Sequence, residues 1–108
     1  MSRIPQLLEY LKGSPDDAFL QYALALEYIK SGQPEEGLRY FERLMEIQPD
    51  YIGTYYHLAK LYIRLNRPED AEATFTRGME VARRLQDQHA LAELQNAALN
   101  FRMGLDED

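Results

Sequence analysis

The residues best suited to move a proton or hold a metal near neutral pH are the two histidines. His57 and His89 stand 32 positions apart, neither belongs to a Glu-x-x-His pairing, and the chain has no cysteine. Zinc needs three or four protein ligands, and this inventory does not assemble them. No glycine-rich phosphate loop and no Gly-x-Ser-x-Gly elbow occurs, so the common signatures of phosphoryl and acyl transfer are missing. Glu35, Glu36, Glu42 and Glu46 read as a solvated helix face, because paired carboxylates need a desolvating cleft to do acid–base work. The expectation is a chain that is not an enzyme and carries no metal or cofactor.

Charge removes another class. Twelve basic against eighteen acidic residues give a net charge of −6. A nucleic-acid module needs a basic face to displace counterions. Here the basic clusters Lys60, Arg64, Arg67 and Arg77, Arg83, Arg84 are interleaved with Asp and Glu. No apolar run approaches the roughly 20 residues of a membrane helix, and the start MSRIPQLLEYLKGS lacks the pattern of a signal peptide. With no cysteine, a disulfide framework is ruled out. Neither nucleic acid nor membrane is expected as a partner, and a cytoplasmic location is expected.

The elements that must position any functional side chain are legible in an internal echo. YIKSGQPE at residues 28–35 returns as YIRLNRPE at 62–69, an interval of 34. At that offset Tyr22 meets Tyr56, Leu24 meets Leu58, Ala25 meets Ala59, Pro34 meets Pro68 and Phe41 meets Phe75. A period of this length belongs to a helical solenoid unit. Residues 21, 24, 25 and 28 fall on one stripe of a helix. Gly32 and Asn66 then stand where a left-handed residue closes that helix. Pro34 and Pro68 open the next one, followed by Glu35-Glu36 and Glu69-Asp70, which complement its positive end. Each unit therefore reads as helix, tight turn, helix. The expected boundaries are a half-repeat helix over 4–12, repeats over 18–51 and 52–85, a closing helix over 87–103, and a frayed tail over 104–108, all in a single domain.

These residues resemble the tetratricopeptide repeat family. The first copy supplies Leu24, Ala25, Tyr28, Gly37, Phe41 and Pro49, and the second Tyr55, Leu58, Ala59, Tyr62, Ala71 and Phe75, with Gly78 at the usual Ala position. Gln21 replaces a customary bulky residue, Leu44 replaces a small one, and Arg83 stands where the second copy lacks its closing proline. That missing proline predicts a last repeat helix running on through about Leu85. The resemblance implies an all-α fold, a right-handed superhelical stack of antiparallel helix pairs with flanking capping helices. It also implies that the first helix of each repeat faces a concave groove where a peptide or helix of a partner protein docks.

Candidate groove residues follow from the stripe that the hairpin contact leaves over. In the first repeat these are Phe19, Tyr22, Leu26 and Ile29; in the second, Tyr56, His57, Lys60, Ile63 and Arg64. An apolar patch rimmed by charge commonly marks an interaction site. A homodimer sharing the same stripe is the alternative expectation. Some family members clamp a peptide carboxylate with Lys and Asn, but Tyr22, Leu26, His57, Asp87 and Leu91 occupy those positions here. Recognition of such C-termini is not implied.

Overall fold

The computed structural model describes residues 2–105. Six α-helices occupy them, α1 (Ile4–Gly13), α2 (Ala18–Lys30), α3 (Pro34–Ile47), α4 (Gly53–Arg64), α5 (Pro68–Leu85) and α6 (Gln88–Arg102). No described residue lies in a strand, so the fold is all-α. Of the tail expected to fray, residues 106–108 lie outside the described residues. The chain divides into two compact units, Met1–Tyr51 and Ile52–Asp108.

In the first unit α2 and α3 form an antiparallel hairpin, with α1 packed on α2. Asp17 caps α2, its carboxylate accepting the Leu20 N–H at 3.0 Å. Gly32 ends the helix at φ 78°, a conformation that glycine adopts without a Cβ penalty. The Gln33 N–H then donates to the Tyr28 carbonyl at 2.8 Å, which satisfies an otherwise orphaned helix-end acceptor. Pro34 opens α3 at once and Glu35 and Glu36 fill its first turn. The core is Leu7, Leu24, Ala25, Phe41 and Leu44. Gln21 is also wholly buried, and its amide donates to the Pro15 carbonyl at 2.8 Å. The customary bulky position thus holds the preceding turn against α2. Gly37 allows the hairpin its close approach: a Cβ there would stand 2.9 Å from the Ala25 carbonyl oxygen and 2.7 Å from Ile29 Cγ1.

The second unit repeats the device. Asn66 closes α4 at φ 60°, and the Arg67 N–H donates to the Tyr62 carbonyl at 2.8 Å. Pro68 opens α5. With no proline to stop it, α5 extends to Leu85 and ends on Gln86 in the left-handed region, φ 58°. Asp87 then caps α6, accepting the Ala90 N–H at 2.9 Å. Tyr55, Leu58, Ala59, Phe75, Ala82, Leu94 and Ala98 are buried together, and Phe101 of α6 lies against Phe75 with ring centroids 6.1 Å apart.

Candidate functional site

On α2, the stripe at 21, 24, 25 and 28 faces inward: Gln21, Leu24 and Ala25 are buried, and Tyr28 stacks on Tyr40 of α3 at 5.6 Å. The other stripe divides. Phe19 keeps 60% of its surface exposed, and Leu26 is half-buried. Tyr22 instead packs its ring against Phe41 at 6.2 Å and Tyr51 at 5.5 Å. Ile29 covers Gly37. The expectation that all four side chains point away from the hairpin is corrected for Tyr22 and Ile29, which belong to the α2–α3 packing. The reason is angular. At about 100° per residue, Leu26 lies within roughly 20° of Phe19, whereas Tyr22 and Ile29 lie roughly 60–80° round toward α3.

On α4, Tyr56, His57, Lys60 and Ile63 are half-buried and Arg64 is exposed. The Tyr56 ring meets the His57 imidazole edge to face at 5.3 Å. Burial pushes His57 below its ordinary value of 6.5, and the Glu93 carboxylate on α6 pulls the other way. His57 is therefore a mainly neutral donor and acceptor at pH 7. Lys60 and Arg64, one turn apart, put two positive charges on this face.

Two features escaped motif reading. A cavity of about 840 Å³ opens between α1 and α3 within the first unit, floored by Leu8, Leu11, Tyr40 and Ile47 and rimmed by Arg39 and Arg43. Arg39 pairs with Glu36 at 2.7 Å and Arg43 with Asp16 at 3.2 Å. The signal available in sequence was the three-residue spacing of Leu8 and Leu11 beside the seven-residue spacing of Tyr40 and Ile47. The second feature is His89 and Glu93, one turn apart on α6. Among the described residues, however, no group of three His, Asp or Glu side chains is arranged to hold a metal. Nor is any helix long and apolar enough to cross a membrane.

Comparison with known proteins agrees with this architecture. The family model described as tetratricopeptide repeat matches residues 28–98. A crystal structure of a tetratricopeptide repeat domain protein from Salinibacter ruber superposes with a TM-score of 0.74 at 51% identity, covering 78% of this chain and 94% of that one. A solution NMR structure of a tetratricopeptide repeat domain protein from the same organism gives 0.79 at 48% identity, covering 88% and 95%. No curated protein matches the chain. Tetratricopeptide domains generally mediate protein–protein interaction and are typically non-catalytic. With the 34-residue echo, the paired hairpins and a match over residues 28–98, the chain belongs to the tetratricopeptide repeat family.

Proposed function

We propose that the chain is a non-catalytic docking module that holds a peptide or helix of a partner protein on the first-helix faces of its two repeats. The observation that carries the reading is Phe19, a large aromatic 60% exposed on a helix whose other apolar side chains are at least half-buried. Exposed aromatics of this kind bury much area while freezing few rotors. Leu26 extends the apolar face of α2. On α4, Lys60 and Arg64 favour an acidic segment of the partner, and Tyr56, His57 and Ile63 border them. Tyr22 and Ile29 support this face from beneath, holding α2 on α3.

The test uses a double variant, Phe19→Ala with Arg64→Ala. Both side chains are exposed, so helicity by circular dichroism is expected to be unchanged. Proteins captured by the wild-type chain are expected to be lost or strongly depleted with the variant. Retention of the same set at the same yield refutes the reading.

A further inference from the structure

α1 and α3 each pack on α2, and the cavity of about 840 Å³ lies between them. Its lining comes from those two helices and from Pro15 in the turn after α1. Among the described residues no third element walls it, so it is a trough rather than an enclosed pocket. A small molecule seated there would keep much of its surface in water, whereas a drug-sized ligand is ordinarily buried over most of its area. From Arg39 to Ile47 the trough follows α3 for about 12 Å, room for roughly two turns of another helix.

The charges nearest the apolar floor share one sign. At about 100° per residue, Lys12 lies roughly 40° round α1 from Leu8, and Arg43 and Arg39 lie roughly 40° and 80° round α3 from Ile47. Glu46 and Glu42 also line the trough, but farther out, at roughly 100° and 140° from Ile47. Each inner cation has a counter-ion: Lys12 meets Glu9 at 3.5 Å, Arg39 meets Glu36 and Arg43 meets Asp16. These pairs are easily exchanged, since the Arg39 and Arg43 side chains are 77% and 53% exposed and such surface pairs contribute little. A carboxylate arriving over the floor can take the same donors in a bidentate fork. The trough does not depend on what precedes α1. Tyr10 stands at the repeat register of Leu44, which is buried, and lies roughly 160° round α1 from Leu8. A helix packed on Tyr10 as α2 packs on α3 leaves the trough open.

We propose that this trough is a second docking surface, which takes an amphipathic helix of a partner protein whose apolar ridge is flanked by carboxylates. A ridge of residues at i, i+3 and i+7 covers Leu8, Leu11, Tyr40 and Ile47. Carboxylates on its two flanks meet Lys12 on the α1 wall and Arg39 and Arg43 on the α3 wall. A helix with basic flanks is disfavoured, because it sets like charges against the inner rim. The surface involves none of Phe19, Leu26, Lys60 and Arg64, so its failure and that of the proposed partner face are separable.

The test uses two stapled, fluorescein-labelled helical peptides with leucines at i, i+3 and i+7, one with glutamates flanking that ridge and one with lysines in their place. Fluorescence anisotropy with the full chain is expected to show the glutamate peptide binding at least about tenfold more tightly than the lysine peptide. In the variant Arg39→Glu with Arg43→Glu, both at exposed positions and checked for helicity, the order is expected to invert. Methyl NMR locates the contact without any substitution: the glutamate peptide is expected to shift Leu8, Leu11 and Ile47, and to leave Leu26 and Ile63 in place. Equal affinity of the two peptides for wild type, no binding of the glutamate peptide, or an order unchanged in the reversed chain overturns the proposal. So do shifts confined to Leu26 and Ile63, which belong to the other face. Dodecanoate moving the trough methyls where the glutamate peptide does not would also overturn it, making the trough a site for a small anionic amphiphile.

Discussion

Replacing Gly78 with alanine sets two effects of known sign against each other. Alanine in a helix interior is favoured over glycine by about 1 kcal/mol. Against this, the added Cβ would stand 2.6 Å from Tyr55 Cβ, 3.0 Å from Tyr55 Cγ and 3.1 Å from Leu94 Cδ1. Carbon pairs are most stable at about 3.5–4.0 Å, so the first contact is short by about 1 Å. Leu94 can turn its methyl aside. Tyr55 cannot, because it is fully buried and the atom struck is its Cβ, fixed to the α4 backbone. Overpacking of this kind costs about 1–3 kcal/mol, and a rigid obstacle puts it at the upper end. The net expectation is a loss of about 2 kcal/mol, or a fall in Tm of about 10 °C for a domain of this size. Gly37→Ala is expected to behave alike, since one of its obstacles is the Ala25 carbonyl. Gly13→Ala is the control, with no atom within 4 Å of its added methyl, and is expected to leave Tm level or slightly higher. Calorimetry on the three variants decides. A Gly78→Ala chain melting at or above wild type refutes the argument that helix approach, rather than helix propensity, selects glycine there.

Phe75 is fully buried, and Phe75→Ala is expected to cost about 3–5 kcal/mol; a urea midpoint near wild type would reject the repeat register. Gln86 holds φ 58°, a conformation costing about 1–2 kcal/mol for most side chains but less for Asn. Gln86→Gly is therefore expected to raise the denaturation midpoint, and Asn66→Gly to raise it less; the opposite order would show that the caps do not set the balance. His57 binds a proton less readily folded than unfolded because burial lowers its pKa from 6.5. Folding stability from this group is complete above the unfolded value and declines as pH falls from about 7 through 6.5. His57→Gln should flatten that slope in urea titrations at pH 5.5–7.5. The Glu72 carboxyl, held below 4.5 chiefly by its hydrogen bond to Arg102, loses its contribution only at lower pH and does not confuse the window.

What the sequence made legible was set by local backbone chemistry. Gly32 and Asn66 accept φ > 0 at little cost, and Pro34 and Pro68 fix φ and lack a donor, so they mark helix ends whatever surrounds them: α2 and α4 end, and α3 and α5 begin, beside them. The length of α5 followed from an absence, since Arg83 stands where Pro49 ends the first copy. Gln86 was not legible as a cap. Glutamine carries no preference for φ > 0, and the helix turns there because Asp87 caps α6 and its own N–H reaches the Ala82 carbonyl at 2.9 Å. That end is a property of two helices meeting, and composition at one position does not record it.

The candidate face was less legible for a related reason. AFLQYALALEYI is apolar nearly all round, so periodicity has little polar contrast from which to assign a direction. The deciding residue is on another helix. Gly37 leaves a space on α3, and Ile29 fills it, drawing the Tyr22–Ile29 edge of the stripe into the hairpin. Phe19 and Leu26 remain on the outer edge. Applying the 34-residue register to α4, the equivalents of Phe19 and Leu26 are Gly53 and Lys60, with Arg64 one turn beyond. The same register positions are therefore apolar on α2 and cationic on α4. Under the proposed function, a partner that engages each of these helices carries an apolar group for α2 and a carboxylate for α4. A peptide with only one of these features is expected to bind more weakly than one with both, and the difference should vanish in the Phe19→Ala, Arg64→Ala variant.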